Sequence, residues 1–544
     1  RLPDGRVSAM DRQDAIVVGA GGGGAVVAKE MAERGLKVLV LEAGPWLDPS
    51  KDFSRQEHDM SALMNGRLRW GPSDRSRSPW MRRRDGVNFI LQSAGVGGTT
   101  LHYNAISPRA FVPSIDAKWP LSYADLVPWY EQVEEFLPVT LVRDLATKDA
   151  AFAEGCEAIG LRRSEERDVA EPVWRPCHNA ILPIADMTAD IDLTSPAVEG
   201  CTMCGHCIQG CPNPIAAPLE RKAKRATNVS YVPAAVATGN CEIVPDAFAT
   251  AVLFEPGTAK PARARGVRWR HTATGEEHEA EAPVVILAGG SIETPRLWLN
   301  SGLPNSNDTV GRRLTTHLQD VVTGFFDREL HPDVGQVSMA RADFPGYGTM
   351  FSEGYGPQAF SVITSGVGTG TWDRPDPDGP WDTQGRFWGE EAQRRNGEYS
   401  RSLSIVLSTN DESHPDNRVS LADDWPADEH GPVPKVSYHP TPASRERQDW
   451  LARKAVEILC AAGARTTHRT NFVQSVVMTH IMGTIRMGAD PSMSVVDASC
   501  EAHEVERLYV ADTSVLPGVG GANPTLTAQA LAVRTASLIA DRSA

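Results

Sequence analysis

The stretch DAIVVGAGGGGAVVAKEMAERGLKVLVLEAG, residues 14–44, indicates the fold of the N-terminal part of the chain. A short β-branched run is followed by a glycine-rich turn, a helical pattern and a second apolar run that ends at Glu42. The turn has the spacing G-x-G-x-x-G, in which Gly19 permits the tight turn, Gly21 lets the backbone approach a pyrophosphate and Gly24 allows close helix packing. Glu42 lies 18 residues after Gly24, where an acidic side chain can accept hydrogen bonds from a ribose. These features predict a dinucleotide-binding βαβ unit, and the pattern alone leaves FAD and NAD open.

Length and composition limit the class of protein. A chain of 544 residues exceeds what one hydrophobic core usually serves, so we expect at least two domains. Its 41% hydrophobic and 23% charged residues are typical of a globular protein, and a net charge of -15 argues against nucleic-acid binding. No apolar run reaches the roughly 20 residues that cross a bilayer, so we expect no membrane segment. No signal-peptide pattern opens the sequence, but the chain begins at an arginine, so a processed leader and export stay open.

Three other segments have recognisable patterns. Residues 122–136 predict an amphipathic helix that Ser122 caps, with Asp125 three positions on. Residues 240–290 alternate in the manner of strands. Residues 365–400 are rich in Gly, Pro and Asp and predict a long loop, either a substrate lid or a plain excursion.

Several more blocks follow the glycine turn in order and together resemble the glucose-methanol-choline (GMC) oxidoreductases. They are AGVGGTTLHYNAISPRA (94–110), ILAGGSIETPRLWLNSGL (286–303), VGRRLTTHL (310–318), THIMGTIRMGADPSMSVVD (479–497) and LYVADTSVLPGVGGANPTLTAQALAVRTA (508–536). Members of this family are FAD-dependent flavoenzymes that act on alcohols and sugars. The resemblance runs from about residue 14 to about residue 540.

The resemblance implies a fold of the α/β plus α+β class. It comprises a Rossmann-type FAD-binding domain and an inserted substrate-binding domain built on an antiparallel sheet. We expect the discontinuous FAD-binding domain at residues 12–115, 200–315 and 466–544, and the substrate-binding domain at residues 116–199 and 316–465.

Two residues carry the chemistry that the resemblance implies. His480, in THIMG, occupies the position of the family's catalytic histidine, and Asn523, in GANPT, matches its second member, which is His or Asn in different relatives. Oxidising an alcohol removes the hydroxyl proton as a hydride passes to flavin N5, and a histidine titrates in the right range to take that proton. The alternative for His480 is a core histidine satisfied by backbone groups. Other histidines, His317 among them, lack comparable support.

The resemblance also assigns contacts to the flavin. It places His102 where some relatives carry a histidine bonded covalently to the flavin 8α-methyl and where others hold FAD without that bond. Both forms stay open at this stage. Asp512 resembles the family's acidic residue near the ribityl-pyrophosphate part of FAD. The remaining implied cofactor contacts are Gly97, Gly98, Asn104, Pro524 and Thr525.

The stretch CTMCGHCIQGCPNP, residues 201–214, carries four cysteines with the spacing C-x2-C-x2-C-x3-C-P. This is the bacterial ferredoxin spacing for iron–sulfur ligation. It resembles the cysteine-rich insert of the catalytic subunit of bacterial FAD-dependent glucose dehydrogenase. We therefore expect a [4Fe-4S] or [3Fe-4S] cluster, with these metal ligands: Cys201, Cys204, Cys207 and Cys211. Structural zinc, a pair of disulfides in an exported protein, and reduced cysteines of a degenerate insert are the alternatives.

These expectations combine into an FAD-dependent dehydrogenase that oxidises a small-molecule polyol, sugar or glycoside. A cluster would pass electrons to an electron-accepting protein or cytochrome subunit, because the sequence has no haem-attachment C-x-x-C-H. The alternatives are an oxidase that uses O2 and has a structural cysteine site, a non-redox FAD-containing lyase, and an electron-transfer or binding subunit with an inert His480. We expect a cytoplasmic location, with the periplasm or export with a partner subunit as the alternative.

Overall fold

The first of two large sheets is parallel and contains the predicted βαβ unit. The computed structural model describes residues 13–53, 70–87, 89–183, 199–257, 261–364, 370–373, 389–471 and 476–543. In spatial order, the five parallel strands are Leu508–Val510, Val284–Leu287, Ala15–Val18, Val38–Leu41 and Cys241–Val244. The three central strands are apolar and buried along their whole length, as expected of a parallel sheet covered on both faces. Helix Gly24–Glu33 joins the strands Ala15–Val18 and Val38–Leu41, which confirms the predicted unit.

The second large sheet is antiparallel and has seven strands. Their spatial order is Gly370–Asp373, Thr466–Asn471, His317–Phe325, Ser402–Asn410, Gly348–Glu353, Ala340–Phe344 and Val173–Pro176. Helices Thr147–Ala158 and Pro442–Ala461 pack on one face through an apolar cluster that includes Val322 and Leu407.

The opposite face of this antiparallel sheet carries polar side chains, since neighbouring residues of a strand point to opposite faces. Gln319 Nε2 donates to Ser408 Oγ at 3.1 Å, and the hydroxyls of Thr323 and Ser404 lie 2.9 Å apart. On this face the apolar pair Val321 and Val406 lies between the two polar pairs.

Smaller sheets and further helices complete the described fold. Strand Ala262–His271 pairs with Ala247–Glu255, Glu277–Glu281 and Val505–Glu506, and a three-stranded sheet contains Arg83–Asp85, Arg418–Leu421 and Pro434–Ser437. Two strand pairs are Phe89–Ile90 with Val477–Met478, and Thr140–Leu141 with His178–Asn179. The other α-helices are Pro49–Asp52, Val112–Asp116, Tyr123–Phe136, Tyr231–Ala237, Gly290–Asn300, Pro357–Thr364, Gly389–Gly397 and Thr525–Ser543.

Several local expectations are confirmed. Helix Tyr123–Phe136 begins with a capping box, in which Ser122 Oγ accepts from Asp125 N and the Asp125 carboxylate accepts from Ser122 N. Five strands occupy most of residues 241–287, as the alternating pattern predicts. Among the residues that the structure describes, no helix is both long and apolar enough to cross a membrane.

Two expectations stay predictions. Of the predicted loop at residues 365–400, positions 365–369 and 374–388 lie outside the described residues, and the described part contains a strand, Gly370–Asp373, and a helix, Gly389–Gly397. The substrate lid therefore stays a hypothesis. The domain boundaries also stay predictions. The strands Val173–Pro176 and Thr466–Asn471, which fall in different expected domains, both belong to the antiparallel sheet.

Candidate active site

The glycine-rich turn after the first strand packs closely on its neighbours. Gly19 has φ +103°, and a Cβ there would lie 2.5 Å from the carbonyl oxygen of Ala288. At Gly24 a Cβ would lie 2.0 Å from the carbonyl oxygen of Gly19. Gly21 differs, because a Cβ there would meet nothing nearer than the Cα of Gly98, at 3.8 Å. The fold itself requires glycine at positions 19 and 24. The space at Gly21 is left for a ligand.

A second glycine turn faces the first. Gly97 and Gly98 have φ values of 116° and 51°, which favour glycine. The Gly97 N–H donates to the carbonyl of Ala20 at 2.9 Å, and a Cβ on Gly98 would lie 2.7 Å from the Cα of Gly21. The predicted cofactor residues of both segments are thus brought together.

The two turns border a pocket with an empty volume of about 1140 Å³. Three α-helices begin at it, since Gly23, Gly290 and Thr525 all lie at helix starts and line the pocket. Helix N-termini present unpaired N–H groups and positive potential, which suit a pyrophosphate. These residues therefore fit FAD, whose pyrophosphate would lie against the helix starts.

Glu42 lines this pocket and is held by backbone groups. Its Oε1 accepts from the N–H groups of Gly44 (2.9 Å) and Gly95 (3.0 Å), and its Oε2 accepts from Ala20 N–H (2.9 Å). Burial raises the pKa of Glu42 to about 7, although these hydrogen bonds oppose the shift. A carboxylate oxygen can accept two hydrogen bonds, so Oε2 keeps one acceptor site for a ribose hydroxyl. The expected role is chemically available, and Glu42 also joins three backbone segments.

Asp512 lies on the opposite side of the same pocket. Its Oδ2 accepts from Gly290 N–H (2.9 Å) and the Thr294 hydroxyl (2.6 Å), and its Oδ1 accepts from Ser514 N–H (2.8 Å). Burial raises the pKa of this carboxyl. Asp512 therefore organises the start of helix Gly290–Asn300 at the place where the ribityl-pyrophosphate is expected.

His102 and Asn104 follow the second glycine turn. The buried Nε2 of His102 has no hydrogen-bond partner among the described residues, and burial lowers its pKa to about 3. A neutral imidazole with an unpaired nitrogen is what a flavin contact, or a covalent bond to the flavin 8α-methyl, requires. Asn104 is engaged elsewhere, because its Nδ2 donates to Glu353 Oε1 at 3.2 Å. Glu353 lies on the antiparallel sheet, so Asn104 links the flavin turn to that sheet.

His480 and Asn523, predicted as the catalytic pair, are in contact. Asn523 Nδ2 lies 3.2 Å from His480 Nε2. On the other side of the ring, His480 Nδ1 lies 3.1 Å from the Nδ1 of His317, a residue that had no support from the sequence. The two imidazole rings are nearly perpendicular, at 88°. His317 begins the strand His317–Phe325 and is fully buried, so the antiparallel sheet supplies a third member of the site.

These contacts define the tautomers of both histidines. An amide nitrogen is a donor only, so Asn523 Nδ2 requires an unprotonated Nε2 on His480. A neutral His480 then carries its proton on Nδ1 and donates it to His317 Nδ1. His317 in turn carries its proton on Nε2. The network thus leaves the basic nitrogen of His480 on the side of Asn523.

The histidine pair lies beside the pocket. The carbonyl of Ile481, next to His480, accepts hydrogen bonds from the hydroxyls of Ser291 (2.9 Å) and Thr513 (2.7 Å), and Thr513 lines the pocket. Asn523 precedes Pro524 and Thr525, where helix Thr525–Ser543 begins at the pocket. His480 and Asn523 therefore lie close to residues that line the pocket, although neither lines it.

The four cysteines of residues 201–211 line one cavity, which has an empty volume of about 410 Å³. Two of the sulfurs accept hydrogen bonds. Met203 N–H donates to Cys201 Sγ (3.4 Å), and Asn213 Nδ2 donates to Cys204 Sγ (3.2 Å). All nine cysteines are free thiols, and burial raises the pKa of Cys207 to about 12. Within the described part of the chain, no three His, Cys, Asp or Glu side chains are arranged so that they could hold a metal ion. The spacing brings the predicted ligands to one cavity without forming a metal site.

Comparison with known proteins agrees with this fold and pocket. Two profiles described as GMC oxidoreductase match residues 179–319 and 413–532, and one described as FAD binding domain matches residues 14–54. The 6'''-hydroxyparomomycin C oxidase of Streptomyces lividus is 27% identical, over 98% of this chain and 92% of its own length. The 2-methyl-1,2-propanediol dehydrogenase of Mycolicibacterium austroafricanum is 25% identical, over 98% of this chain and 96% of its own.

Solved structures extend the agreement to the whole fold. Pyridoxine 4-oxidase from Mesorbium loti has a TM-score of 0.67 at 17% identity, covering 97% of this chain and 99% of its own. Formate oxidase has a TM-score of 0.65 at 14% identity, covering 98% of both chains. At such identities the likeness shows the fold alone, and it confirms the predicted Rossmann-type, mixed α/β class. Because the family's sequence pattern and its fold both extend along this chain, we conclude that it belongs to the GMC oxidoreductase family of FAD-dependent enzymes.

Proposed function

We propose that the chain oxidises an alcohol group of a polyol, sugar or glycoside, with FAD as the acceptor and His480 as the base. The observation that carries this proposal is the contact of His480 with Asn523 and His317 at the border of the pocket that fits FAD. FAD, when bound, accepts a hydride from the carbon that bears the hydroxyl. The chain's own residues must take the proton and orient the substrate.

His480 Nε2 is the atom that takes the proton. It is unprotonated in the neutral network, and its lone pair is directed to the side of Asn523. Asn523 Oδ1 is buried and has no hydrogen-bond partner in the described part of the chain, so it can accept a hydrogen bond from the substrate. In the structure the Nε2 lone pair accepts a hydrogen bond from Asn523 Nδ2, which the substrate hydroxyl must replace before its proton passes to His480. When His480 becomes an imidazolium, His317 Nδ1 still accepts its Nδ1 proton and holds the ring in place.

The polar face of the antiparallel sheet supports a polyhydroxylated substrate. His317, Gln319 and Thr323 alternate along one strand and share the face that points away from the helices. Ser404 and Ser408 extend this row of hydroxyl and amide groups on the next strand. Because the row begins at the residue that contacts His480, hydroxyls beyond the reacting carbon would find hydrogen-bond partners along it. The two curated relatives named above carry names that describe one oxidase and one dehydrogenase.

The pH dependence of flavin reduction tests the role of His480. Burial lowers the pKa of His480 to about 4, and an unprotonated base is needed for the reaction. We therefore expect the rate of anaerobic FAD reduction to change little from about pH 8 to about pH 5.5 and to fall only as the pH approaches 4. An unshifted histidine would lose about tenfold in rate per pH unit below about 6.5. Stopped-flow absorbance separates the two profiles, and an acid limb centred near 6.5 would contradict the lowered pKa of His480.

We also propose that electrons leave through an iron–sulfur cluster on Cys201, Cys204, Cys207 and Cys211, which makes the enzyme a dehydrogenase. The support is the ferredoxin-like spacing, the single cavity that all four line, and the N–H groups that reach the sulfurs. A cluster there would supply one-electron transfer to an external protein acceptor. Its assembly requires the thiols to lose their protons and to rearrange, since their present arrangement forms no metal site among the described residues.

Metal and sulfide analysis of anaerobically purified protein tests this cluster. We expect about three or four irons and a similar number of labile sulfides per chain, as known cluster types require. Cys207→Ser should lower both contents, because Cys207 lines the cavity, whereas Cys460→Ser, which changes a thiol outside it, should leave them unchanged. Zinc without sulfide would replace the cluster by a structural site, and the enzyme would then be expected to use O2 directly.

A further inference from the structure

Two buried lysines follow the cysteine segment and hold it in different ways. Lys222 and Lys224 are 0% and 2% exposed. A buried ammonium is costly unless its three N–H groups are satisfied, and each of these lysines meets three carbonyl oxygens. The identity of those carbonyls distinguishes the two residues.

Lys222 binds the segment that follows the last cysteine. Its Nζ donates to the carbonyls of Pro212 (2.9 Å), Pro214 (2.8 Å) and Ile215 (3.0 Å). These acceptors lie within four residues of one another. Lys222 therefore stabilises the shape of the cysteine loop from within.

Lys224 joins two distant parts of the chain. Its Nζ donates to the carbonyl of Cys207 (2.7 Å) and to those of Leu101 (2.8 Å) and Tyr103 (3.1 Å). Leu101 and Tyr103 flank His102, the residue expected at the flavin. One ammonium thus connects the backbone of a cysteine in the 410 Å³ cavity to the turn that borders the FAD pocket.

The cysteine segment has a second attachment, which does not involve Lys224. Gly205 N–H donates to the carbonyl of Gly335 at 2.8 Å, and Gly335 N–H donates to that of Met203 at 3.0 Å. These bonds attach the segment to the chain that precedes strand Ala340–Phe344 of the antiparallel sheet. The flavin side has its own attachment in Lys224.

We propose that Lys224 is a positioning residue that couples the cysteine segment to the flavin turn. Its ammonium fixes the position of the Cys207 backbone relative to the residues around His102. A structural change at the cysteines would therefore affect the flavin, and a change at the flavin would affect the cysteines. This inference rests on the proposed binding of FAD. It does not depend on which metal, if any, the cysteines hold.

Hydrogen–deuterium exchange on the FAD-loaded full chain tests the coupling, with Lys222→Met as the matched control for Lys224→Met. Loss of Lys224 should speed exchange by about tenfold both in residues 201–211 and in residues 97–106, because both lose the same tie. It should also shift the visible circular dichroism of the bound flavin. Loss of Lys222 should speed exchange in residues 201–215 alone and leave the flavin signal as in the unchanged protein.

The opposite pattern would overturn the inference. If the effect of Lys224→Met stays within residues 201–215 and the flavin signal does not move, Lys224 is a loop stabiliser like Lys222. Should Lys224→Met fail to fold, Lys224→Gln keeps an amide donor and gives a milder test with the same two readouts. An unchanged chain that binds no FAD would refute the proposed function, while the exchange in residues 97–106 and 201–211 would still decide whether the two segments are tied.

Discussion

Replacing His480 by alanine is expected to slow the reduction of bound FAD by an alcohol by about 10²–10⁴-fold, the usual contribution of a positioned general base. The substitution removes the ring nitrogen that faces Asn523, while Gly19, Glu42 and Asp512, which line the pocket, are untouched. FAD should therefore stay bound with little change in affinity. Anaerobic stopped-flow measurement of the flavin absorbance, at saturating substrate, gives the rate directly.

The control for this variant is His414→Ala. The side chain of His414 is 48% exposed and lies on the strand-to-strand connection after Ser402–Asn410, and its loss should leave the rate within about twofold. Activity of His480→Ala close to that of the unchanged enzyme would mean that the histidine is a satisfied core residue. Another group would then have to take the hydroxyl proton.

Replacing Gly21 by alanine is expected to weaken FAD binding by at least tenfold, about 1.4 kcal/mol, without unfolding the protein. A Cβ at this position meets nothing nearer than 3.8 Å, so the fold has room for it. That space is where the backbone of a Rossmann turn approaches the pyrophosphate. Fluorescence titration with FAD measures the affinity, and thermal unfolding without FAD measures the stability.

Two other glycine variants serve as controls for Gly21→Ala. At Gly23 a Cβ would lie 1.8 Å from the carbonyl oxygen of Ala511, so Gly23→Ala should destabilise the turn itself. Gly397, at the end of an exposed helix with open space around it, should tolerate alanine with no change in FAD affinity. If Gly21→Ala binds FAD as tightly as the unchanged chain, the pyrophosphate does not lie at this turn.

The sequence predicted those parts of the site that depend on local structure. The glycine turn, its helix and Glu42 lie within one βαβ unit, where spacing alone determines the geometry. The capping box at Ser122 is equally local, since its donors and acceptors lie three residues apart. His480 and Asn523 were identified by resemblance to a family, and the structure brings their side chains into contact.

The missed features all depend on contacts between distant segments. His317 meets His480 across 163 residues, next to the bridge between Thr315 and Met482, which no local pattern reveals. The one available signal was its place near the end of the block VGRRLTTHL. That place did not distinguish His317 from the other histidines of the chain. The bond from the Asn104 amide to Glu353, 249 residues away, is of the same kind, and the expected contact of Asn104 with the flavin stays a prediction. Lys224 had no motif of its own, and its role follows only from the carbonyls around it.

The cysteine segment shows a different limit. Its spacing predicted four ligands of an iron–sulfur cluster; the four thiols line one cavity, but among the described residues they form no metal site. Spacing does not determine which metal they bind or whether they bind one, because iron–sulfur and zinc sites use similar short cysteine separations.

The most direct test of the whole account is anaerobic addition of polyols, sugars and glycosides to the FAD-loaded full chain, followed by the visible flavin absorbance. We expect the chain to bind FAD, and at least one of these alcohols to bleach it completely, at a rate that the His480→Ala variant loses. A chain that binds no FAD, or bound FAD that no alcohol bleaches, would contradict the proposal that His480 removes a hydroxyl proton beside a flavin.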